Sequence, residues 1–248
     1  TGPSLFTMPD VLNKLLKDIN AENLLGLELF KPEIICKYFY DDIVINAYSN
    51  LDKLIEELTL KTTDKRESFI SYFKYAETIF NLTEKIFLHS SLNKLKTYFN
   101  KSAFKALLNL SKIDTNRTMH NAVESYFKDE KTIKLFDRYA TYNGSSPFKA
   151  PATLNLISHV ENGIGGYFIK GGMYNLPKQL TELAIKRGVN IVTNSQIVEI
   201  ITDKNRVKEV KVKTGDVIEL FSADLFVSNS DITNTHKIIL PNENVKTN

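Results

Sequence analysis

The side chains that could carry out catalysis in this chain are few and lie far apart in the sequence. Its histidines are His89, His120, His159 and His236, and neither a nucleophile elbow nor a His-Glu-x-x-His motif accompanies them. His159 and Glu161 form one local pair, for which a surface or turn-capping role at a helix end is expected instead of metal binding. The pattern therefore predicts no metal site and assigns no catalytic residue. Any redox chemistry would have to come from an external cofactor.

A first glycine cluster, Gly163, Gly165 and Gly166, invites comparison with phosphate-binding loops. The dinucleotide fingerprint would need a further glycine at Phe168, a strand before the pattern and a helix after it. The sequence meets neither requirement. It therefore does not predict a phosphate loop here.

A second cluster, Gly171 and Gly172, directly precedes a predicted amphipathic helix. The N-terminal amides of such a helix could face an anion or an electron-rich ring. A tight strand-to-helix turn explains the two glycines equally well. Both clusters lie in a segment rich in glycine and aromatic residues, 137–177, whose density suggests a site or a surface loop.

Composition restricts the function classes. The 248 residues can bury a sizeable core, and a net charge of +3 with scattered lysines does not indicate nucleic-acid binding. The single Cys36 excludes an internal disulfide and is expected to be a buried, inert thiol. No run of about 18 apolar residues predicts a membrane-spanning helix. The opening Thr1 and the polar C-terminal end indicate a fragment of a longer protein.

The first predicted elements are a helix and a hairpin. Apolar spacing predicts a helix over residues 9–25, ended by Gly26. Two runs rich in β-branched and aromatic residues, 34–40 and 43–49, predict a β-hairpin with Asp41 and Asp42 in its turn. A catalytic carboxylate pair is the alternative reading of these aspartates, and their adjacency in a turn speaks against it.

Residues 49–142 carry helical periodicity. One long apolar stripe runs from Phe69 to Thr83, and another includes Phe104, Leu107 and Leu108. Thr115 or Asn116 is expected to cap the next helix, and Asp129 the one after it. The many aromatic residues are expected in a core; the alternative is that some line an elongated apolar pocket or face a membrane.

In the last third of the chain, the spacing of the apolar residues changes from the helical period to a helix followed by strands. A helix is predicted over residues 174–186 with Gly188 at its end. Strands are predicted at 189–194, 196–202, 206–212, 216–221 and 224–229. This order fits the second half of a nucleotide-binding α/β domain.

Four segments carry a resemblance to the flavin-dependent carotenoid desaturases, the phytoene desaturase family and its hydroxycarotenoid-desaturase relatives. They are TGPSLFTMP, ESYFKDEKTIKLFDRYATYNGSSPF, APATLNLISHVENGIGGYFIKGGMYNL and ADLFVSNSD. A single GPS or GG is weak evidence, but in this order and spacing the segments are fairly specific, and they cover nearly the whole chain. The family shares the fold of the flavin amine oxidases.

The resemblance implies an α+β or α/β fold class, a fragment of a flavin amine oxidase-like fold. Residues 1–9 would belong to the FAD domain, 10–169 to a mostly helical substrate-binding domain with a β-hairpin, and 170–248 to a second FAD-domain segment. The N-terminal dinucleotide motif and the C-terminal flavin segment of the family have no counterpart in this sequence. This fragment is therefore expected to bind FAD poorly and to be inactive by itself.

The resemblance also implies cofactor-binding roles for particular residues. Gly2, Pro3 and Ser4 would pass near the isoalloxazine ring of FAD. Ile197 matches the apolar position whose backbone meets the adenine. In addition, Gly171 and Gly172 would lie beside the junction of flavin and substrate. Candidates for lining the substrate tunnel are Tyr142, Pro147 and Tyr167.

The implied function is FAD-dependent desaturation of a long polyene, with a quinone or dioxygen as electron acceptor and a peripheral, cytoplasmic position at the membrane. Hydroxycarotenoid 3,4-desaturation, isomerisation and saturation are alternatives within the family. A non-catalytic lipid-binding module at a membrane surface is the alternative from another class.

Overall fold

A computed structural model describes residues 5–21, 26–87, 109–203 and 206–235 of the chain. The predicted cofactor residues Gly2, Pro3 and Ser4 lie outside the described residues, as do His89, His236 and three residues of the last predicted apolar stripe, Phe104, Leu107 and Leu108. The chain forms two compact units, a large one comprising residues 1–183 and a small one comprising 184–248. Among the described residues, every helix is too short or too polar to cross a bilayer.

The first helix, α1 (Pro9–Asp18), is shorter than the sequence predicts. Asn20 adopts a left-handed conformation with φ of 49°, and the amide of Ala21 donates to the carbonyl of Leu16 at 2.7 Å. This is the geometry of a Schellman cap, which ends a helix by satisfying its last carbonyls. The predicted stop at Gly26 was therefore wrong, because asparagine takes the terminating role six residues earlier.

The predicted hairpin is confirmed. Strands β2 (Ile34–Phe39) and β3 (Val44–Tyr48) pair antiparallel, and Asp41 and Asp42 lie in the connection between them. Asp42 forms an exposed ion pair with Lys131 at 2.6 Å. Cys36, expected to be a buried thiol, is a half-buried free thiol on β2.

Helices dominate the described residues between the hairpin and residue 143, as predicted. They are α2 (Leu51–Lys61), α3 (Arg66–Phe87), α4 (Leu110–Ile113), α5 (Met119–Tyr126) and α6 (Glu130–Asp137), followed by a 3-10 helix, Arg138–Asn143. Asp129 caps α6 as predicted, with its carboxylate accepting from the amide of Lys131 at 2.9 Å. The cap of α5 is Thr118, not Thr115 or Asn116, because only there does the hydroxyl reach the amide of Asn121, at 3.2 Å.

The core of the large unit lies between α3, α5, α6 and the hairpin. Fully buried aromatic rings fill it, with Phe127 stacked on Phe136 at 5.0 Å and Tyr72 at 4.4 Å from Phe136. Most aromatic residues of this region are thus core, the plainer of the two sequence readings. Burying one such ring contributes about 1.5–3 kcal/mol.

After the core helices the chain runs through a 3-10 helix (Ala152–Asn155), a short helix α7 (Leu156–Ser158) and a π-helix (His159–Ile164). Strand β4 (Phe168–Ile169) then pairs antiparallel with β1 (Leu29–Phe30). Next to it, Tyr167 bridges to Phe6. Helix α8 (Asn175–Lys186) follows and ends before Gly188, whose φ is 83°, as the sequence predicts. Leu183 of α8 packs in one apolar cluster with Leu12 and Leu16 of α1.

The small unit contains an antiparallel meander, β5 (Ser195–Asp203), β6 (Arg206–Thr214) and β7 (Val217–Ser222), in the order β5-β6-β7, and a short helix, α9 (Ile232–Asn234). These three strands were predicted. The strands predicted at 189–194 and 224–229 were wrong, because within the described part of the chain those segments pair with no other strand. A strand needs a hydrogen-bonded neighbour, and local sequence cannot supply one.

Candidate functional site

The large unit buries a carboxylate. Glu161, in the π-helix, is only 2% exposed, and its Oε1 lies 2.8 Å from Nη2 of Arg138. Tyr139 donates its hydroxyl to the same oxygen at 3.2 Å, and Tyr142 donates to Oε2. The expected surface or turn-capping role of Glu161 was therefore wrong. The residue is the centre of a buried polar network.

Arg138 connects this network to the hairpin. Its guanidinium carbon lies 5.2 Å from the ring centre of Tyr38 and 4.6 Å from that of Tyr139, distances typical of cation–π contacts. Nη2 also donates to the Tyr38 hydroxyl at 2.8 Å. Burial raises the pKa of both phenols, so they stay protonated at neutral pH and remain hydrogen-bond donors.

The network joins three segments of the chain: β2, the 3-10 helix Arg138–Asn143, and the π-helix with the residue before it, Ser158. Asn162 completes it by donating to the Tyr139 hydroxyl at 2.7 Å and to the Ser158 carbonyl at 3.0 Å. π-helical turns are uncommon and often mark functional positions. Here the turn points Glu161 and Asn162 into the same buried cluster.

An apolar cavity of about 600 Å³ lies beside this network. Helix α3, the segment around Thr115, and the helical turns after Pro151 surround it. Its lining residues are Phe80, Thr83, Glu84, Thr115, Asn143, Pro151, Thr153, Leu154, Leu156 and Ile157. Such a volume is typical of small-molecule sites in proteins.

The apolar cavity and the polar network share backbone. Asn143 of the cavity wall directly follows Tyr142, and Ile157 of the wall lies four residues before Glu161. The Glu161–Arg138 pair therefore fixes the segments that carry part of the cavity wall. No sequence motif indicates this arrangement, because its residues come from segments that lie far apart in the chain.

The three predicted tunnel residues lie elsewhere in the large unit. Tyr142 is 48% exposed and directs its hydroxyl to Glu161. The carbonyl of Pro147 accepts from the amide of His120 at 3.1 Å. Tyr167 is tied by its backbone to Phe6. None of the three lines the apolar cavity, and their role in substrate binding stays a prediction.

The glycine clusters have different structural roles. A Cβ on Gly166 would lie 2.6 Å from Leu5 and 2.7 Å from Ile35, so close packing explains that glycine. The cluster begins inside the π-helix, at Gly163, and ends before β4, so it is not preceded by a strand and followed by a helix as the dinucleotide fingerprint requires. Gly171 and Gly172 have φ angles of 80° and 91° and turn the chain toward α8.

Ile197 belongs to the small unit, where it lies on β5 opposite Val212 of β6. Gly171 and Gly172 belong to the large unit. Within the described residues no group of three histidine, cysteine or carboxylate side chains could hold a metal ion.

The sequence is similar to known proteins along nearly its whole length. Residues 1–244 match the family described as flavin containing amine oxidoreductase. A 1-hydroxycarotenoid 3,4-desaturase of Flavobacterium sp. is 31% identical over 243 residues, which cover 96% of this chain and 48% of that protein.

Two further relatives act on related compounds according to their names. A 4,4'-diaponeurosporene oxygenase of Staphylococcus haemolyticus is 30% identical, with 99% of this chain and 48% of that protein covered. A 4,4'-diapolycopen-4-al dehydrogenase of Metabacillus indicus is 26% identical, with 96% and 47% covered. The chain thus spans about half the length of the curated relatives it matches.

Proposed function

This chain belongs to the family of flavin containing amine oxidoreductases, and from that membership we propose that the protein it represents is an FAD-dependent desaturase of a long apolar polyene. The observation that carries the proposal is the similarity to a 1-hydroxycarotenoid 3,4-desaturase along 96% of the chain. The apolar cavity supports it, because an elongated hydrocarbon needs an apolar site of this kind.

The turn at Gly171 and Gly172 fits the approach of a flat cofactor. Among the described residues, and apart from the adjoining residues of the chain, no heavy atom lies within 4 Å of the position that a Cβ of Gly172 would occupy, and only the Asn175 amide comes within that distance for Gly171. The backbone is therefore open on that side, as close approach of a ring requires. We assign Gly171 and Gly172 to the flavin, together with Gly2, Pro3, Ser4 and Ile197 as the family resemblance implies.

Bound FAD would supply a hydride acceptor, which this chemistry needs because side-chain environments shift a pKa by only about 3–5, far too little to deprotonate an allylic C–H. Desaturation would remove a hydride, for which the flavin is the acceptor, from one carbon of the substrate and a proton, released to solvent, from the next, and the electron pair of the second C–H bond would become the new conjugated double bond. A quinone or dioxygen is the proposed final electron acceptor.

The protein's own residues would bind and orient the polyene. Each CH₂ group that enters the apolar cavity contributes about 0.8 kcal/mol, so a hydrocarbon chain can bind tightly without ionic contacts. The Leu154, Leu156 and Ile157 side chains would exclude water from the chain and hold it in line. Because the substrate is a lipid, we propose that the protein contacts the membrane peripherally.

Oxidation at the end of the polyene is a second candidate activity. Two of the relatives are named for such reactions, an oxygenase and an aldehyde dehydrogenase. Both candidates require the same cofactor and an apolar substrate, and they differ in the product.

The test is expression of the full-length protein, followed by reconstitution with FAD and incubation with phytoene, a hydroxylated carotenoid or a diapocarotenoid in vesicles containing a quinone. Desaturation would shift the absorption maximum of the polyene to longer wavelength, whereas terminal oxidation would add oxygen to its mass. A full-length protein that binds no flavin and converts none of the three compounds would contradict the proposal.

A further inference from the structure

Five residues with polar side chains line the apolar cavity, and three of them have their hydroxyl groups committed to the protein. Thr83 donates to the carbonyl of Ile79 at 2.7 Å, and Thr153 to that of Ile113 at 2.9 Å. Thr115 donates to the Asn116 side chain at 3.3 Å. These hydroxyl groups have used their one proton within the protein, so they have none to donate to a ligand.

The other two polar residues are Glu84, half-buried on α3, and Asn143, at the end of the 3-10 helix. Among the described residues, the Glu84 carboxylate makes no hydrogen bond or ion pair, and the Asn143 amide group makes no hydrogen bond. Both side chains can reach water when no ligand is bound, because Glu84 is only half-buried and Asn143 is exposed. An apolar ligand that covered Glu84 would remove this water without supplying a donor, which is costly for a carboxylate. A ligand that brings a donor to Glu84 would therefore bind better than a pure hydrocarbon.

We propose that Glu84 accepts a hydrogen bond from a hydroxyl group of the polyene, so that the preferred substrate is a hydroxylated polyene. This inference rests on the proposed function and specifies its substrate class. An ionised carboxylate only accepts hydrogen bonds. It therefore favours a hydroxyl, which donates, and repels the carbonyl oxygen of an aldehyde end group.

Asn143 fits the same ligand group. Its amide nitrogen can donate to the hydroxyl oxygen while Glu84 accepts the hydroxyl proton. The remaining lining residues are apolar or have their hydroxyl groups committed, so they would contact the hydrocarbon portion. The cavity thus discriminates between polyenes by their end group, through a charge-assisted hydrogen bond.

Two substitutions test this inference in the full-length, FAD-loaded protein. Glu84→Leu removes the acceptor, and Glu84→Gln retains the shape and a neutral acceptor. Glu77→Gln is the control, because Glu77 is an exposed carboxylate on the same helix that does not line the cavity. For each protein we would measure kcat/KM and the equilibrium Kd for a hydroxylated polyene and for its unsubstituted parent.

Glu84→Leu is expected to lower the preference for the hydroxylated compound by about tenfold to a hundredfold, the contribution of a hydrogen bond to a charged group. Glu84→Gln should lose less, and Glu77→Gln should keep the parent ratio. An unchanged ratio of Kd values in Glu84→Leu would overturn the inference. Failure of the parent protein to turn over any polyene would instead count against the proposed function, since the Kd ratio still reports on Glu84.

Discussion

At Glu161 the chain keeps a carboxylate almost entirely out of water and surrounds it with donors. Arg138 supplies the opposite charge, while Tyr139 and Tyr142 donate their hydroxyl groups to its two oxygens. A buried ion pair of this kind adds little net stability, but removal of one partner leaves the other charge uncompensated. The role of Glu161 is therefore to hold neighbouring segments in one arrangement, including those beside the apolar cavity.

Substitution of Glu161 tests this role. Glu161→Gln keeps the shape of the side chain and removes its charge, so Arg138 is left without a counter-ion. We expect a loss of about 3 kcal/mol in the free energy of unfolding, measured by denaturant titration. Glu130→Gln is the control: Glu130 and its partner Lys134 are both exposed, so this substitution should change the free energy of unfolding far less than Glu161→Gln does. Equal losses in both variants would contradict the role of Glu161.

His159 is expected to make the stability of the folded protein depend on pH. Its ring lies 5.2 Å from that of Phe80, and burial lowers its pKa below the ordinary value of 6.5. The unfolded chain therefore takes up the proton at a higher pH than the folded chain. The contribution of His159 to stability is complete above pH 6.5 and declines as the pH falls through the folded pKa.

We expect His159→Gln to flatten the dependence of the unfolding free energy on pH below 6.5, measured by urea titration at successive pH values. The parent protein and the variant are compared by the slope of the unfolding free energy against pH. Their absolute stabilities are not compared, because the substitution also changes packing against Phe80. A slope equal to that of the parent protein would show that His159 does not titrate differently in the two states.

At the scale of elements, the helix caps decide where the chain changes direction. Asp129 accepts from the amide of Lys131 in its own helix and also from the amide of Thr63 at 2.9 Å, in the turn between α2 and α3. One carboxylate thus caps α6 and ties it to a turn more than 60 residues away. Asp64 makes the reciprocal connection by accepting from the amide of Lys128 at 2.7 Å.

Because it has two functions, Asp129 should matter more than an ordinary cap. Asp129→Ala is expected to cost about 2 kcal/mol in the free energy of unfolding, the upper part of the range for caps. Asp52→Ala provides a control in the first turn of α2, since that carboxylate is 88% exposed in a long ion pair of 3.8 Å. Its loss should stay below about 0.5 kcal/mol. Thermal unfolding of both variants would measure the difference.

At the scale of the whole molecule, the two units differ in how much apolar surface they bury. The large unit has a continuous aromatic core. In the small unit, Val217, Ile218 and Leu220 of β7 are each more than half exposed. A three-stranded sheet gains independent stability only when it buries a hydrophobic face.

We therefore expect backbone amides of β5, β6 and β7 to exchange with deuterium faster than those of α3 in the 248-residue chain, as measured by mass spectrometry. The β2–β3 hairpin is the internal control. It is also a small sheet, but Ile45 and Ala47 of β3 are buried in the core, so its amides should be protected. Protection of the meander equal to that of α3 would contradict the expectation.

Local signals predicted much of the fold. The hairpin, the cap at Asp129 and the helix stop at Gly188 each depend on residues within a few positions of one another. The stop of α1 was misplaced because Asn20 and Gly26 are both acceptable terminators, and the sequence does not rank them. The segments at 189–194 and 224–229 have strand composition, but a strand forms only with a pairing neighbour, and that neighbour is not encoded in the local sequence.

The sequence by itself determined the family, most of the helices, the hairpin and the meander. The order of the motifs and the spacing of the apolar residues can be read from the chain without knowing its tertiary contacts. Only the tertiary structure decided that Glu161 meets Arg138 and that Phe80, Asn143 and Ile157 share one cavity wall. The physical reason is that burial and hydrogen-bond partners arise from packing between distant segments. The residues next to a carboxylate in the sequence do not indicate whether it faces water or, like Glu161, a buried guanidinium.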